Sequence, residues 1–164
     1  MLKKLIPDKY FPSFFHITAD FLKSNNADYI LLDIDYTLAP KDVLDMDGKI
    51  AAHIQSFLQA GIKIVLVSNN KLERVRRYAS TLDLPYVFRA KKPFKGGFRR
   101  AMVQIGAEKE RTAVIGDQIF TDTLGAHRLG LRCFFVEPVI IRTTGIVGFR
   151  RRLEEKYISR GKTI

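Results

Sequence analysis

The 164-residue sequence contains one cysteine, Cys133, and no tryptophan. A single cysteine cannot form an intramolecular disulfide, which excludes a disulfide-stabilised secreted scaffold and predicts an intracellular, cytoplasmic protein. The sequence also lacks any apolar run of the ~20 residues that a bilayer-spanning helix needs. The nearest candidate, at 138–149, is shorter and contains Arg142. Pro7 and Asp8 interrupt the start of the chain before an apolar core can form, so we expect no signal peptide.

Acidic residues are scarce: 17 aspartates and glutamates stand against 28 lysines and arginines, which gives a formal net charge of +11. A balance this basic indicates an anionic partner, either a nucleic acid or an anionic membrane surface. The alternative is a basic, solvated surface with no specific partner. Glycine-rich phosphate loops are missing as well, because neither G-x-G-x-x-G after the first predicted strand nor G-x-x-x-x-G-K-[ST] occurs. Their absence argues against dinucleotide-binding and P-loop folds.

Hydrophobic residues make up 46% of the chain and fall into short runs that alternate with helical patterns. Continuous apolar runs predict five strands, at 28–34, 62–67, 85–90, 112–116 and 131–137. Apolar residues at helical spacing predict helices at 48–60, 70–84, 96–106 and 120–130. This alternation predicts an α/β fold of three α/β/α layers around a central parallel five-stranded sheet, with right-handed crossovers. We expect a single domain over residues 1–164, with its catalytic core at about 27–136.

Polar side chains follow four of the predicted strands at the point where each strand ends. They are Asp33, Asp35 and Thr37 after the first strand, Ser68, Asn69 and Asn70 after the second, Lys91 and Lys92 after the third, and Asp117 and Asp122 after the fourth. Ligands of parallel α/β sheets bind at this edge, so we expect these groups to converge. The four carboxylates need a compensating cation, and Mg²⁺ prefers oxygen ligands. A lysine and a helix N-terminus would still attract an anion, and the set as a whole predicts phosphoryl transfer.

Four short motifs at these strand ends resemble those of the haloacid dehalogenase (HAD) superfamily phosphatases. They are DIDYT at 33–37, VSN at 67–69, KKP at 91–93 and GDQIFTD at 116–122. The fourth motif, the small uncapped size and the leading LIPDKYFPSF are most similar to the subclass IIIA, YqeG-like phosphatases, which are related to phosphatidylglycerophosphate phosphatases. The resemblance implies a HAD-like Rossmannoid fold and an Mg²⁺-dependent phosphomonoester hydrolase that works through an aspartyl-phosphate.

The same resemblance implies roles for the acidic residues. Asp33 would be the nucleophile, and Asp35 would be the general acid and then the base for the hydrolytic water. Mg²⁺ would be held by Asp33, the backbone carbonyl of Asp35 and Asp117. Asp122 would hold a metal-bound water or orient the lysine, and its plainer interpretation is an ordinary acidic residue in the first turn of a helix. A response-regulator receiver also phosphorylates an aspartate with Mg²⁺, but it would not need a general acid two residues after the nucleophile.

The remaining motif residues would contact the transferred group. By the resemblance, Ser68 would hydrogen-bond a phosphoryl oxygen and Lys92 would neutralise developing charge, while Thr37 and Asn69 would complete the substrate-binding set. The alternative for Ser68 is a plain helix cap, since serine is common at that position. We expect Lys91, the neighbour of the functional lysine, to be solvated.

The intervals between the motifs leave no room for a cap domain, because 35–68 and 68–92 each hold one helix and little else. An open site favours a macromolecular or membrane-borne ester. Two end segments are compatible with a membrane. An aromatic amphipathic helix is predicted at about 10–24, with packing on the sheet as its alternative. A basic tail at about 138–164, with a solvated tail as its alternative, carries Arg150, Arg151 and Arg152.

Three functions stay open at this point. The first is dephosphorylation of phosphatidylglycerophosphate to phosphatidylglycerol at the inner face of the cell membrane, with the protein peripherally bound. The second keeps the chemistry but acts on nucleic-acid ends or other soluble phosphate esters, which the basic charge suits equally. The third is a binding protein with a HAD fold that associates with RNA or ribosomes. The intact set of carboxylates counts against the third function, because binding alone would not need it.

Overall fold

The computed structural model of the protein describes residues 2–140 and 152–158, which form a parallel sheet with helices on both faces. The strands are β1 (Lys9–Phe11), β2 (Tyr29–Leu32), β3 (Lys63–Val67), β4 (Tyr86–Val87), β5 (Thr112–Gly116) and β6 (Arg132–Val136). The helices are α1 (Ala19–Ser24), α2 (Gly48–Gln59), α3 (Leu72–Ser80), α4 (Lys95–Ile105) and α5 (Leu124–Leu129), and residues 152–158 are also helical. A π-helical turn, Ile119–Thr123, leads into α5, and 3-10 turns occur at Leu2–Leu5, Phe14–His16 and Lys109–Arg111.

The strand order is β1-β6-β5-β2-β3-β4, and every pairing is parallel. β2 is central, and all four of its residues are buried. Its last residue, Leu32, is in register with Ile115 of β5 and Leu66 of β3. The chain therefore leaves β2, β3 and β5 at nearly the same height, and the residues that follow these strands lie beside one another.

Side chains alternate between two apolar cores, one on each face of the sheet. Ile30 and Leu32 of β2 belong to the core under α2 and α3, which also contains Ile54, Phe57 and Tyr78. On the opposite face, Leu31 packs in a second core with residues of α4 and α5, among them Phe98, Ala101 and Ala126. Burial on both faces explains why the central strands read as continuous apolar runs rather than as alternating ones. The three-layer α/β/α prediction is confirmed.

The sheet has six strands rather than the five predicted. The additional strand is β1, which pairs with the edge strand β6 in the register Lys9↔Phe134 and Phe11↔Val136. It was missed because three residues, one exposed and two half-buried, carry no clear periodicity of two. Its pairing is decided by tertiary contacts, such as the stacking of Tyr10 on Phe135 with ring centroids 5.8 Å apart.

The predicted amphipathic helix at about 10–24 is wrong over its first half. β1 occupies the start of that range, and Pro12, which a helix interior would not accept, separates it from the 3-10 turn at Phe14–His16. Only Ala19–Ser24 is α-helical, with Thr18 Oγ1 accepting a hydrogen bond from Phe21 N at 3.1 Å. Most of the aromatic side chains in this segment pack on the protein, although Phe15 is 48% exposed. The packing alternative therefore describes this segment better than an exposed aromatic face.

The basic tail predicted at 138–164 lies mostly outside the described residues, including Arg150 and Arg151. Within 152–158, Arg152 is exposed, whereas Glu154 and Ile158 are each 3% exposed. Ile158 packs with Ile119 and Phe135, so this part of the tail is docked on the protein rather than solvated. None of the helices in the described ranges is long and apolar enough to cross a bilayer.

Candidate active site

The carboxyl ends of β2, β3 and β5 bring the predicted site residues to one edge of the sheet. Asp33 continues β2, and its backbone N–H donates to the Ile115 carbonyl of β5 at 2.9 Å. Ser68 continues β3, and its N–H donates to the Val87 carbonyl of β4 at 2.9 Å. Because these hydrogen bonds extend the sheet ladder by one residue, the first polar side chains after the strands are held as firmly as the strands themselves.

A buried lysine lies between two buried carboxylates at the centre of this edge. Lys92 Nζ is 2.5 Å from Asp33 Oδ1 and 2.6 Å from Asp122 Oδ1. The side chains of Lys92, Asp33 and Asp122 are 3%, 7% and 1% exposed. Removing the lysine would leave two buried carboxylates without their cation, and such a change is strongly destabilising. The lysine of the third motif is therefore bound to acidic residues of the first and fourth motifs.

Two polar side chains complete this network. Thr37 Oγ1 lies 2.8 Å from Asp33 Oδ2 and 3.1 Å from Asp117 Oδ1, so one hydroxyl connects the two carboxylates. Asn69 holds the backbone of Lys92 from both sides: Asn69 Oδ1 accepts from Lys92 N at 2.7 Å, and Asn69 Nδ2 donates to Lys92 O at 3.2 Å. Asn69 therefore fixes the chain that carries the lysine, and it also lines the cavity.

Burial shifts the ionisation of these groups. It raises the pKa of Asp33 to about 7, an effect that Lys92 opposes and the negative charges of Asp122 and Asp35 reinforce. Burial also raises the pKa of Asp117 well above its ordinary value, with the charges of Asp33 and Asp122 acting in the same direction. For Lys92, burial alone would lower the pKa, but the two carboxylates beside it prevail and raise it. The site thus holds more negative charge than its cations neutralise.

The excess negative charge fits a divalent cation. One carboxylate oxygen from each of Asp33, Asp117 and Asp122 lies within 4.8 Å of the others, and all three residues are buried. Counting Asp35, four carboxylates face two buried cations in the described part of the chain, Lys92 and Arg74 of α3, which leaves a formal charge of −2. Carboxylate oxygens are ligands for hard cations such as Mg²⁺. These residues therefore fit a divalent metal both by donor type and by charge.

The Asp35 carboxylate lies outside this acidic cluster and has partners of its own. Asp35 Oδ2 accepts hydrogen bonds from Ser68 Oγ at 3.1 Å and Asn70 Nδ2 at 3.2 Å. Its other oxygen, Oδ1, is 3.5 Å from Nη2 of Arg74, a 7%-exposed residue of α3. Ser68 Oγ also accepts from Asn70 N at 3.0 Å, but the N-cap of α3 is Lys71, so the helix-cap alternative for Ser68 is wrong. The two carboxylates of the first motif are thus held in different surroundings.

An open, polar cavity of about 360 Å³ lies over these groups. It is lined by Asp33, Asp35, Lys41, Asn69, Asn70, Lys92, Gln118 and Thr121. In contrast to Lys92, Lys91 is exposed, as expected. The cavity therefore gives solvent and substrates access to both carboxylates of the first motif and to the buried lysine.

Two residues beside the site have an unusual backbone conformation, and a third position requires glycine. Tyr36 and Lys91, each next to a predicted site residue, have φ values of 71° and 56°, which L-residues adopt only at some cost. At Gly116 a Cβ atom would lie 2.4 Å from Cγ of Asp122, so any side chain there would displace that carboxylate. The sequence requirement for glycine before Asp117 is thus a steric one.

The structure brings all eight predicted site residues together at one sheet edge, in two groups that border the same cavity. Asp33, Lys92, Asp117, Asp122 and Thr37 are linked directly, Asn69 holds Lys92, and Ser68 holds Asp35. Sequence reasoning missed Arg74, which looks like one of several basic residues in the run LERVRRYAS. It also assigned no role to the cavity-lining residues Lys41, Gln118 and Thr121. Of these three, only Gln118 and Thr121 could have been found from the sequence, because they lie inside the fourth motif.

Comparison with known proteins agrees with this geometry. The HAD-hydrolase-like family model matches residues 89–140. The chain is also 36% identical over 160 residues to the Bacillus subtilis (strain 168) protein named "Probable phosphatase YqeG", covering 97% of this chain and 93% of that protein. The chain therefore belongs to the HAD superfamily and, within it, to the YqeG-like phosphatases, and it is a phosphoric monoester hydrolase.

Solved structures show the same fold at low sequence identity. The cobalt-bound deoxy-D-mannose-octulosonate 8-phosphate phosphatase (YrbI) of Haemophilus influenzae has a TM-score of 0.57 and 18% identity, covering 85% of this chain and 92% of that one. The 3-deoxy-D-manno-octulosonate 8-phosphate phosphatase of Moraxella catarrhalis, in complex with magnesium and phosphate ions and a KDO molecule, has a TM-score of 0.53 and 14% identity, covering 86% and 92%. Both agree with the three-layer architecture.

Proposed function

We propose that the protein is an Mg²⁺-dependent phosphatase that converts phosphatidylglycerophosphate to phosphatidylglycerol at a membrane surface, through an aspartyl-phosphate on Asp33. The observation that carries the chemistry is the buried Asp33–Lys92–Asp122 network beneath an open cavity, with Asp117 close by. Such a surplus of buried carboxylates destabilises a fold, so its presence favours a catalytic role.

In the proposed reaction, the two carboxylates of the first motif act on opposite sides of the phosphorus atom. Asp33 attacks phosphorus and forms the new O–P bond, the ester P–O bond breaks, and Asp35 gives its proton to the departing alkoxide. In the second step a water molecule attacks the same phosphorus and Asp35 takes its proton. The Asp33–phosphate bond then breaks, which releases inorganic phosphate and restores the Asp33 carboxylate and the protonated Asp35.

The other residues stabilise charge and orient the reacting groups. Bound Mg²⁺, held by Asp33, Asp117 and the Asp35 backbone carbonyl, with Asp122 next to it, would supply positive charge that keeps the carboxylates ionised and offsets the charge of the phosphoryl oxygens. Lys92 would contact a phosphoryl oxygen, and Asn69, which holds its backbone, would keep it in place. In this proposal Ser68 and Thr37 donate hydrogen bonds within the same pocket.

A phospholipid substrate is supported by access and charge. The segments between the motifs form helices and strands of the main fold, so within residues 2–140 and 152–158 no inserted domain covers the cavity. Lys41, which lines the cavity and is exposed, adds positive charge at its edge. A phosphomonoester that projects from a bilayer could enter such a site without leaving the membrane.

A phosphatase of nucleic-acid ends or soluble phosphate esters is the second candidate, and the net charge of +11 favours it equally. An RNA- or ribosome-associated binding role receives less support, because binding alone gives no reason to bury a lysine between two carboxylates.

The test is phosphate release from a matched panel: phosphatidylglycerophosphate in mixed micelles, glycerol 3-phosphate, a 5′-phosphorylated oligonucleotide and 4-nitrophenyl phosphate. Each is assayed with Mg²⁺, with Ca²⁺ and with EDTA. We expect the highest kcat/KM for the lipid, and activity only with Mg²⁺. A higher kcat/KM for the oligonucleotide would replace the lipid proposal with the second candidate, and full activity in EDTA would refute the metal assignment.

A further inference from the structure

A segment beside the active site is rich in exposed cations and aromatic rings and has no acidic residue. Between positions 84 and 107 the sequence has six lysines and arginines and neither aspartate nor glutamate. Lys92 is buried in the active site, whereas the other five cations are exposed. Together with two exposed phenylalanines they form the surface that we call the basic–aromatic face: Phe88, Arg89, Lys91, Phe94, Lys95, Arg99 and Arg100.

This face adjoins the active site through the chain itself. Lys91 immediately precedes Lys92, and Phe94, which is 67% exposed, follows Lys92 by two residues. Two residues of extended chain span about 7 Å at most, so the backbone of Phe94 lies within that distance of the backbone of Lys92. A surface that bound through this segment would therefore lie next to the reacting groups.

The remaining members of the face lie on one side of α4 and on the chain before it. Lys95 and Arg99 are four residues apart, so their side chains are neighbours on the helix surface. Arg100 lines a shallow recess together with Phe88 and Arg89. The opposite side of α4 is packed in the core, so these groups point away from the sheet.

The cations of this face are clustered and have no acidic partner, in contrast to three exposed cations elsewhere on the protein. Lys23, Arg77 and Arg111 each form an ion pair with a carboxylate. Among the described residues, none of the five exposed cations of the basic–aromatic face does so. Unpaired positive charge around an exposed aromatic ring is complementary to a surface that offers both anionic groups and apolar volume.

We propose that the basic–aromatic face docks the enzyme on an anionic lipid bilayer; this deepens the proposed function and rests on it. Aliphatic side chains favour a bilayer over a nucleic acid, because they gain from insertion among acyl chains but do not stack on bases. Val43, Leu44, Val139 and Ile140 are 40–50% exposed, on segments that follow β2 and β6 at the same sheet edge.

The test is sedimentation of the full chain with vesicles of phosphatidylcholine alone or with 30 mol % phosphatidylglycerol. Each cation near anionic lipid strengthens binding roughly fivefold, so we expect Lys95→Gln/Arg99→Gln to weaken binding about 25-fold. Phe94→Ser should weaken it roughly tenfold through lost apolar burial. The matched controls are Lys63→Gln/Lys109→Gln at the other end of the strands and Val103→Ser, an 81%-exposed valine near the end of α4. Both controls should bind like the unaltered chain.

The outcomes separate this surface from the substrate proposal. Turnover of soluble 4-nitrophenyl phosphate should stay unchanged in all these variants, which shows that they are folded. Equal binding by the Phe94 and Val103 variants, or a single-stranded oligonucleotide that binds the face at an ionic strength where vesicles do not, would refute the docking surface. If vesicles bind as expected but no lipid phosphate is hydrolysed, the substrate proposal fails and the surface stands.

A second and independent inference concerns Arg74, whose buried guanidinium contacts Asp35 and the loop beside it. Nη2 lies 3.5 Å from Asp35 Oδ1 and donates to the Pro40 carbonyl at 3.3 Å, while Nη1 donates to the Leu44 carbonyl at 3.3 Å. The guanidinium also lies over the Tyr78 ring, 4.9 Å from its centroid. Asp35 Oδ1 has no hydrogen-bond partner among the described residues, so the ion pair with Arg74 is the main contact that restrains this oxygen.

We infer that Arg74 is a positioning residue, which holds Asp35 in the orientation needed for proton transfer to the leaving group; this deepens the proposed function and rests on it. Such a role predicts a loss of activity that depends on the leaving group. An alkyl phosphate needs its oxygen protonated as it departs, whereas 4-nitrophenolate departs without a proton. A merely structural role would lower turnover of both esters alike.

The test measures kcat/KM for glycerol 3-phosphate and for 4-nitrophenyl phosphate. We use kcat/KM because it reports the steps up to the first phosphoryl transfer and not the later hydrolysis of the aspartyl-phosphate. For Arg74→Met we expect a fall of roughly 10- to 100-fold on the alkyl ester and less than about threefold on the aryl ester. Arg74→Lys keeps the charge but not the planar guanidinium, so kcat/KM should again fall more on the alkyl ester than on the aryl ester, by a smaller factor. This variant provides the test if Arg74→Met does not fold.

The matched control is Arg77→Met. Arg77 lies one turn further along α3 and pairs with Asp45 of the same loop through two 2.6 Å contacts, but it has no contact with Asp35. The Arg77→Met variant should have the same kcat/KM as the unaltered chain on both esters. Equal losses on the two esters in the Arg74 variants, or no loss on either, would refute the positioning role.

Discussion

Two ionic networks lie at opposite ends of the central strand β2, and they differ in their balance of charge. At the amino end, Asp28 is 2.6 Å from Lys23 and 2.9 Å from Arg111, so two cations share one carboxylate. At the carboxyl end, Lys92 is shared by Asp33 and a second carboxylate, so the anions are in excess. The same strand thus connects a network that satisfies its charges with one that leaves negative charge uncompensated.

The two networks also differ in burial, and the pKa shifts follow. Lys23 and Arg111 are 42% and 41% exposed, and the hydrogen bond from Lys23 lowers the pKa of Asp28. Asp33 is buried, and its pKa is raised to about 7. Only the carboxyl-end network therefore destabilises its own ionised form. This contrast indicates that a bound cation and a phosphorylated substrate, rather than stability, account for that network.

The largest effect is expected for Asp33→Asn, which removes the proposed nucleophile. We expect phosphate release to fall by at least about 10⁴-fold, as for other catalytic nucleophiles. Because the change also removes one of several crowded negative charges, the melting temperature without metal should be equal or higher. Asp28→Asn, at the other end of the strand, should keep full activity. An active Asp33→Asn protein would refute the aspartyl-phosphate mechanism.

Lys92→Met removes the shared cation of the carboxyl-end network. We expect a much larger loss of stability than for removal of a cation from the amino-end network. Two carboxylates would then be buried without their cation, and we expect the free energy of unfolding in urea to fall by about 3–5 kcal/mol. Saturating Mg²⁺ should restore part of this loss, because the ion would supply compensating charge. A loss below about 1 kcal/mol would show that the lysine is not the main compensating charge.

The pH dependence of stability should differ in sign between the networks. The folded-state pKa of Asp33, about 7, lies above its ordinary value of 3.8. Without metal, its contribution to stability is therefore fully present below pH 3.8 and is lost as the pH rises through 7. Asp28, whose pKa is lowered, contributes stability above its ordinary pKa and loses it as the pH falls through its folded-state pKa.

Melting temperatures measured in EDTA from pH 3 to 8 test this difference. The unaltered chain should lose stability between about pH 4 and pH 7, and Asp33→Asn should lose less over that range. Added Mg²⁺ should flatten the same segment of the profile. A profile that rises steadily from pH 4 to 7 in EDTA would contradict the raised pKa of Asp33.

The smallest effect is expected for Lys23→Met at the amino end. Asp28 would keep Arg111 at 2.9 Å, and exposed ion pairs contribute roughly 0–1 kcal/mol. The free energy of unfolding in urea should therefore change by less than about 1 kcal/mol, and phosphatase activity should not change. A loss as large as that of Lys92→Met would remove the distinction between the two networks.

The sequence predicted the strands β2 to β6 and the helices between them because each lies in a segment with a clear local pattern. Tyr29–Leu32 is a continuous apolar run, and the helices α4 and α5 end at Gly106 and Gly130, which have φ values of 61° and 72°. β1 could not be found in this way, since its three residues are stabilised by pairing with β6 and by the ring contact of Tyr10.

The site residues also divide into those that the sequence identified and one that it did not. Asp33, Asp35 and Lys92 could be identified because motif residues stand directly after predicted strands, and parallel strands end at one edge. Arg74 could not, because nothing in a helical run of charged residues distinguishes the buried arginine from its exposed neighbour Arg77. The way α3 packs on the sheet decides which of the two reaches Asp35.

The succession of strands and helices along the chain, the chemistry of the motifs and the excess of basic residues were determined by the sequence itself, because each depends on local pattern and composition. Which charges meet was decided only by the tertiary structure. Lys92 and Asp33 are 59 residues apart, and their contact exists because β2 and the chain after β4 end at the same edge. The raised pKa of Asp33 follows from that contact geometry and from burial, which no single segment of the chain can express.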